Sequence, residues 1–268
     1  MNGTLARLAD RFDAIDLREA DARARLAVRT DRKYIVDAAR FATLVELLER
    51  DHVAVEVDER RVCTYESVYF DTPDLLSFRQ HVQGRRRRFK CRTRLYGDGA
   101  CFFEVKLRSG RGETVKRRIE IPRSAHGRLV PAAHSFLDAE LRTAYGYAAP
   151  AALAPRITTS FTRLTLVARD ASERLTCDIE LAFRSDTNVA AIVDGRVLVE
   201  TKTPLGNGIA DRHLRRLGAR PVAPCSKYCL GVALAGAPRD NAFRPLLRRH
   251  FVASSAAEAA DLALAEAP

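Results

Sequence analysis

Hydrophobic residues recur at two different spacings along this chain, and the change in spacing separates predicted helices from predicted strands. Leu5, Leu8, Phe12 and Ile15 recur every three to four residues, which predicts an amphipathic helix over residues 5–27. The same spacing predicts further helices at Ala38 to about Arg50, Ser135 to Tyr145, Ala210 to Leu217 and Ser226 to Leu234.

Other segments alternate apolar and polar residues with a period of two, which is typical of β-strands. The turns GDG and SGRG join three of these runs and signal hairpins. Residues 75–82 fit either a short helix or an irregular edge. Sequential hairpins with few crossover helices indicate an α+β fold, in which an antiparallel sheet or barrel has helices packed outside, and about eight strands are enough to close a barrel. The predicted strands are residues 29–37, 66–71, 85–96, 101–108, 113–121, 156–169, 174–183 and 197–203.

The chain has 268 residues, of which 47% are hydrophobic, so it can bury a substantial core. We predict an N-terminal helix at 1–28, one domain at 29–240, and a tail at 241–268 that is basic and then Ala-rich, either helical or disordered. The N-terminus is too charged for a secretory signal, and no apolar stretch reaches the roughly 18–20 residues of a membrane span. We therefore expect a cytoplasmic protein with free cysteine thiols, and leave association with a membrane-protein partner open.

The polar faces of the predicted strands are ionic and mainly basic. In residues 85–96, Lys90, Arg92 and Arg94 share a face because residues two apart point the same way. The net charge of +11 and pI near 9.8 favour an anionic partner. However, abundant Arg and Ala also fit a GC-rich genome, so position must decide. The other ionic-face residues are Arg86, Arg88, Glu104, Lys106, Arg108, Lys116, Arg118, Glu120, Asp178, Glu180, Glu200 and Lys202.

Two interpretations of these faces remain open. An ordinary sheet would expose them to solvent, whereas a barrel covered by helices would turn them inward. A tunnel lined by Lys and Arg would repel itself when empty, but a polyanion would neutralise it. Arginine binds phosphate oxygens in a bidentate manner, lysine supplies a compact charge, and the carboxylates could hold a divalent metal.

Seven segments, in order, resemble the VTC domain family, the polyphosphate polymerase domains of the triphosphate tunnel superfamily, which also contains the CYTH phosphatases. The resemblance covers about residues 25–235. It implies an antiparallel β-barrel tunnel that binds a nucleoside triphosphate, triphosphate or polyphosphate with Mn²⁺ or Mg²⁺, and transfers the γ-phosphoryl group to a growing chain. The segments are RTDRKYIV, SVYFDTPDL, KCRTRLYG, FFEVKLR, SFTRLTL, VLVETKT and PCSKYCLG.

The resemblance also implies roles for individual residues. Glu200 would bind the metal, with Asp178 or Glu180 as an additional ligand, unless these two pair with arginines instead. Arg29, Arg118 and Lys202 would contact substrate, although Arg29 and Lys202 also fit surface charges. The phosphate-binding catalytic set would be Lys33, Arg92, Arg94, Lys106, Lys116, Arg163, Ser226 and Lys227.

Some assignments keep alternatives. Lys116 competes with Arg117 and Arg118 because three adjacent basic residues leave the register open, and Ser226 also fits a helix N-cap. Tyr69 is interpreted as a structural residue.

The chain departs from the CYTH phosphatases because it has RTDRK where they have ExExK. This favours a metal-dependent polyphosphate polymerase, a phosphotransferase that uses a nucleoside triphosphate such as ATP, over an inorganic or nucleoside triphosphatase. A non-catalytic module that binds polyphosphate or nucleic acid is the third alternative. No specific nucleic-acid partner is expected, because the basic strands lack exposed aromatic residues and the chain has no tryptophan.

Overall fold

The computed structural model describes residues 2–23, 29–110 and 113–255. The helices are α1 (Asn2–Ala9), α2 (Leu17–Arg23), α3 (Ala38–Leu48), α4 (Leu76–Val82), α5 (Pro131–Tyr145), α6 (Ile209–Arg216), α7 (Lys227–Leu234) and α8 (Arg244–His250). The strands are β1 (Ala14–Asp16), β2 (Thr30–Asp37), β3 (His52–Glu56), β4 (Val62–Asp71), β5 (Arg88–Tyr96), β6 (Cys101–Arg108), β7 (Thr114–Glu120), β8 (Ala154–Ala168), β9 (Arg174–Arg184), β10 (Asn188–Ile192), β11 (Arg196–Thr203) and β12 (Phe251–Ser255).

The described residues group into two compact units, each built from three separate segments of the chain. Unit 1 comprises residues in Met1–Thr64, Phe161–Leu181 and Ile192–Cys225, and unit 2 comprises residues in Tyr65–Ser160, Ala182–Ala191 and Ser226–Pro268. Strands β4, β8, β9 and β10 contribute residues to both units. Within the described residues, none of the helices is long and apolar enough to cross a membrane.

In unit 1 the strands are hydrogen-bonded in the order β2-β11-β9-β8-β3-β1. The β2–β11, β11–β9 and β3–β8 pairs are antiparallel, and β1 pairs with β3 in parallel. Val199 and Cys177 lie on the apolar face and share a buried core with Leu44 of α3. Helix α3 begins where the Asp37 side chain accepts a hydrogen bond from the Arg40 N–H at 2.9 Å. The helix thus covers the apolar face of the sheet and leaves the ionic face on the other side.

In unit 2 the strands β4, β5, β6 and β7 form an antiparallel meander. Phe89, Phe103 and Val105 face a core that includes Leu137 and Leu141 of α5. Burial of each such side chain contributes roughly 1.5–3 kcal/mol. In the same unit, β10 pairs with the last residues of β9, and β12 lies next to β10. Here too, a helix covers the apolar face of the strands.

The predicted α+β class, with mainly antiparallel strands and helices packed on their apolar faces, is confirmed. The predicted number of about eight strands is too low, because twelve occur in the described residues. The unpredicted strands are β1, β3, β10 and β12, each with five residues or fewer, which is too short for a clear period. Residues 75–82, left open between helix and edge, contain helix α4.

The prediction of a single helix over residues 1–28 is wrong. The described part of this segment contains α1, β1 and α2, and α2 begins where the Asp16 side chain accepts from the Arg18 N–H at 2.7 Å. The C-terminal segment, predicted as helix or disorder, contains α8 and the strand β12. Its Ala-rich residues 256–268, and residues 24–28, lie outside the described residues. The predicted domain boundaries at 28/29 and 240/241 stay predictions.

Candidate functional site

The face of the unit 2 sheet that points away from its core carries charged side chains in rows across β5, β6 and β7. The register places Lys90 opposite Lys106, and Lys106 opposite Lys116. Like charges directly opposite each other on neighbouring strands destabilise a sheet. Folding alone therefore does not favour this lysine row, whereas an anionic ligand would neutralise it.

The next row contains an acid. Arg92 lies opposite Glu104, and Glu104 lies opposite Arg118. Glu104 is only 2% exposed, and its Oε2 accepts hydrogen bonds from Arg92 Nε at 2.8 Å and Nη2 at 2.6 Å. Its Oε1 lies 2.6 Å from the Nζ atom of Lys116. One buried carboxylate therefore holds two cations from different strands.

These cations keep Glu104 ionised. Burial alone would raise the pKa of Glu104, but the charges of Arg92, Arg94 and Lys116 outweigh it and place the pKa well below its usual range. The pKa of Lys116 is lowered to about 8, because desolvation and the Arg92 and Arg94 charges outweigh the attraction of Glu104. Mildly alkaline pH would therefore discharge one cation of this face.

Tyr69 belongs to the same cluster, so its interpretation as a structural residue is incomplete. Its hydroxyl lies 2.5 Å from Arg92 Nη1, and the Arg92 guanidinium lies 5.3 Å from the centre of its ring. Burial tends to raise the pKa of Tyr69, but Arg92, Arg94 and Lys90 lower it below its usual value. Its place directly opposite Arg92 in the β4–β5 register explains the contact.

Arg94 lies deeper in the same sheet than the prediction of a phosphate-binding role suggests. It is 6% exposed, its Nε donates to Ser67 Oγ at 3.0 Å, and its guanidinium lies 5.4 Å from the centre of the Tyr65 ring. Since so little of its surface is accessible, Arg94 contributes mainly its positive charge to the cluster.

Strand register also separates the three adjacent basic residues of β7. Lys116 lies on the ionic face near Glu104, and Arg118 lies opposite Glu104 with its guanidinium 4.5 Å from the Phe102 ring centre. Arg117 points the other way, with its Nε 3.9 Å from Glu140 of α5. Lys116 and Arg118 therefore share the face that the alternation predicted.

Ser226 caps α7 and also contacts the lysine row. Its Oγ accepts from the Cys229 N–H at 3.5 Å and from Lys90 Nζ at 2.6 Å. Lys227 is the first residue of α7 and is half-buried. Lys90 was absent from the predicted set, although its position two residues before Arg92 could have revealed it.

In unit 1 the predicted metal ligand lies among lysines. Glu200 pairs directly with Lys33 in the β2–β11 register, and its Oε2 lies 4.0 Å from Lys33 Nζ. Its Oε1 lies 3.1 Å from Lys202 Nζ. Burial lowers the pKa of Lys202, and Glu200 opposes this effect. The Nζ of Lys33 also donates to the Cys225 carbonyl oxygen at 2.8 Å.

The other two acids of unit 1 lie in different environments. Asp178 is 1% exposed and forms a bidentate ion pair with Arg163, at 2.6 Å from Nε and 2.9 Å from Nη2. Of the two roles predicted for Asp178, metal ligand or partner of an arginine, the structure shows the pairing with an arginine. Glu180 is exposed, has φ of +53°, and accepts from Thr162 Oγ1 at 3.2 Å. Arg29, directly before β2, pairs with Asp31 at 2.9 Å.

This donor set fits a metal only in a limited way. No group of three or more His, Cys, Asp or Glu side chains that could hold a metal occurs in the described part of the chain. Mg²⁺ is commonly held by one or two carboxylates together with substrate phosphates, not by a cage made wholly of protein. Glu200 could supply one such carboxylate. On the neighbouring strand β9, Thr176 lies opposite Glu200, and Asp178 follows two residues later.

A family model for the VTC domain matches residues 28–235. This chain belongs to the VTC domain family. The match covers nearly the same residues as the seven segments that resemble this family. The predicted resemblance is therefore confirmed. Among curated proteins, no relative matches.

Solved structures show more distant likenesses. A proposed adenylate cyclase from Bacillus halodurans is 14% identical with a TM-score of 0.43, and the alignment covers 75% of this chain and 95% of that one. A proposed adenylyl cyclase from Hippeastrum, described as having a dominant triphosphatase activity, is 15% identical with a TM-score of 0.49, covering 78% and 98%. At these scores the family assignment rests on the family model.

Proposed function

We propose that this protein is a metal-dependent enzyme that acts on triphosphates and transfers the γ-phosphoryl group of a nucleoside triphosphate to a polyphosphate chain. The observation that carries the proposal is the lysine row of unit 2, in which Lys90, Lys106 and Lys116 lie opposite one another. Membership of the VTC domain family supports the same chemistry.

In unit 2 the cations would bind phosphoryl oxygens. Lys106 and Lys116 supply compact charges, and Arg92 supplies planar N–H groups. Glu104 and Tyr69 hold Arg92 from two sides, so its side chain is oriented before a ligand arrives. Such preorganised charge stabilises the transition state of phosphoryl transfer, a reaction that requires positioning and charge neutralisation more than a protein nucleophile.

In unit 1 we assign Lys33 and Arg163 to phosphate and Glu200 to a divalent metal. Asp178 orients Arg163 through two hydrogen bonds and would act on the substrate through that arginine. Lys202 lies nearest to one oxygen of the Glu200 carboxylate, and Lys33 lies nearest to the other. When bound, Mn²⁺ or Mg²⁺ would neutralise phosphate charge and polarise the phosphoryl oxygens.

The phosphoryl group would pass directly from the nucleotide to the chain, with no covalent intermediate on the protein. An oxygen of the terminal phosphate of the chain attacks the γ-phosphorus, the bond to the β,γ-bridging oxygen breaks, and the nucleoside diphosphate leaves. The chain grows by one phosphate in each cycle, and the positive face of unit 2 would stabilise the charge on the transferred group.

The test is to incubate the purified protein with ATP and Mn²⁺ and to measure ADP, free phosphate and long chains together. We expect ADP and long polyphosphate without an equivalent release of phosphate. Release of one phosphate per ADP, with no chains, would instead identify a triphosphatase. If neither product forms but tripolyphosphate binds, the protein is a binding module.

A substitution pair locates the metal. Glu200→Gln should abolish turnover, because the neutral amide is a poor ligand for Mn²⁺ or Mg²⁺. It should leave tripolyphosphate binding without metal within about threefold, because the side chain keeps its size and Glu200 is assigned to the metal, not to phosphate. Glu46→Gln is the matched control, since Glu46 is exposed on α3 and its Oε1 lies 3.9 Å from Arg11 Nη1. Unchanged turnover in Glu200→Gln would exclude Glu200 as the ligand.

A further inference from the structure

The charge rows of unit 2 continue past the lysine row, where β5 begins and β6 ends. Arg88 lies directly opposite Arg108, and Arg108 lies opposite Thr114 on β7. The two guanidinium groups lie close enough to interact, since burial and then the Arg108 charge lower the pKa of Arg88. These three paired positions contain two cations and no acid.

The protein holds these like-charged residues together through their backbones. The hydroxyl of Tyr145, the last residue of α5, lies 2.7 Å from the Arg88 carbonyl oxygen and accepts from the Arg108 N–H at 2.9 Å. It also lies 2.9 Å from the Arg108 carbonyl oxygen. A buried tyrosine therefore fixes the spacing of the two strands at the point where their side chains repel.

The loop before β5 extends this positive charge to the surface. Arg85, Arg86 and Arg87 are exposed, and Arg88 Nη1 donates to the Arg85 carbonyl oxygen at 2.6 Å. Four consecutive arginines thus lead from the surface to the sheet. Along β5, positions 88, 90 and 92 follow at intervals of about 7 Å, because each strand residue rises about 3.3 Å.

We propose that Arg86, Arg87, Arg88 and Arg108 form a basic track that binds the distal part of a long polyphosphate chain while the lysine row binds its end. The inference rests on the proposed function for the identity of the anion. A linear polyanion neutralises successive rows at once, whereas a ligand of three phosphates has too few charges for all of them.

A phosphate chain fits this track better than single-stranded nucleic acid. Non-specific single-strand binders place aromatic side chains where successive bases stack. Phe89 is fully buried, and Tyr147, the exposed aromatic residue near the track, is 37% exposed and lies with its ring centre 5.5 Å from that of Tyr145. One partly covered ring does not make a stacking row.

The experiment compares the binding of long-chain polyphosphate with that of tripolyphosphate, by competition against a fluorescent polyphosphate at several salt concentrations. The variants are Arg88→Gln/Arg108→Gln and the exposed pair Arg86→Gln/Arg87→Gln. Arg215→Gln/Arg216→Gln on α6 in unit 1 removes the same charge elsewhere and is the control. Thermal unfolding verifies that each variant folds, and the exposed pair keeps the test open if the other pair does not.

We expect both track variants to bind the long chain about tenfold more weakly and to lose about 1.4 from the slope of log affinity against log salt, since two phosphate contacts disappear. Tripolyphosphate binding should change by less than about threefold. Equal losses for both ligands, or an equal loss in the control, would overturn the track. The proposal would also be overturned if a single-stranded RNA with the same number of phosphates bound the wild type as tightly as polyphosphate and its affinity fell by the same factor in the track variants.

The outcome is separable from that of the proposed function. Binding needs no turnover, so an inactive protein whose track variants selectively lose long chains retains the track and loses the enzymatic assignment. Conversely, chain synthesis by variants with unchanged long-chain affinity would retain the enzyme and reject the track.

Discussion

Glu104 offers the sharpest test of how the ionic face of unit 2 is held together. Its carboxylate is 2% exposed and contacts Arg92 at 2.8 and 2.6 Å and Lys116 at 2.6 Å. Glu104→Gln keeps the shape of the side chain and removes its charge. Arg92 and Lys116 would then face each other without the anion between them.

The cost follows from the exposure of the two cations. Removing one partner of a fully buried ion pair costs about 3–5 kcal/mol. The Lys116 side chain is 47% exposed and can be hydrated, whereas the Arg92 side chain is 17% exposed and keeps Tyr69 as a partner. We therefore expect a smaller loss of about 2–3 kcal/mol, at or just below the lower limit of that range.

The assay is urea unfolding of wild type and Glu104→Gln, repeated from pH 7 to pH 3. The folded pKa of Glu104 lies below its unfolded value of about 4.3, so its stabilisation is complete above that value and is lost as the pH falls through the folded pKa. The difference between the two proteins should therefore be constant near neutral pH and shrink in acid.

The matched control is Glu66→Gln, in the same unit. Glu66 is 40% exposed and contacts His126 at 3.0 Å, so its loss should change stability by about 0.5 kcal/mol or less. If Glu104→Gln is no less stable than this control at pH 7, the buried carboxylate does not hold the two cations and the described cluster is wrong.

Three further substitutions test neighbouring features. Wild-type affinity for tripolyphosphate should fall as the pH rises through about 8, where Lys116 loses its charge; Lys116→Gln should flatten this profile by titration calorimetry, and Arg117→Gln should not. Tyr69→Phe removes the hydroxyl 2.5 Å from Arg92 and should lower the free energy of unfolding by about 1 kcal/mol. It should also lower kcat by a larger factor than it raises KM, whereas a rise in KM alone would contradict an orienting role. Gly231→Val should lower the thermal midpoint through about 1–3 kcal/mol of overpacking, because a Cβ there would lie 2.6 Å from Ile157 and 2.8 Å from Phe183; an unchanged midpoint would show that α7 is loosely packed.

The strands that carry the cations could be predicted because their information is local. Alternation over 85–96 and 101–108 and the GDG turn between them fix which residues share a face, and β5 and β6 follow that pattern. The N-terminal region lacked such a signal. Apolar spacing alone did not show that β1 divides residues 1–28, because the parallel partner of β1 is β3, nearly forty residues later.

Pairing between strands is the part of the site that alternation could not supply. A shift of one residue turns every side chain to the other face, so the run Lys116-Arg117-Arg118 stayed ambiguous until β6 was seen to place Lys106 opposite Lys116. For the same reason Tyr69 appeared structural, since only its position opposite Arg92 shows its hydroxyl contact.

Glu104 shows why a basic pattern alone does not locate the effective charge. The sequence puts two arginines in the strand FKCRTRLY, and both seem equally available to an anion. In the fold, Glu104 pairs with both Arg92 and Lys116, and Arg94 is nearly buried, whereas Lys106 lies in register between two other lysines, Lys90 and Lys116. We therefore expect Lys106→Gln to weaken polyphosphate binding more than Arg94→Gln does in a competition assay, because Lys106 is exposed and Arg94 is only 6% exposed; an equal loss in the two variants would contradict this ranking.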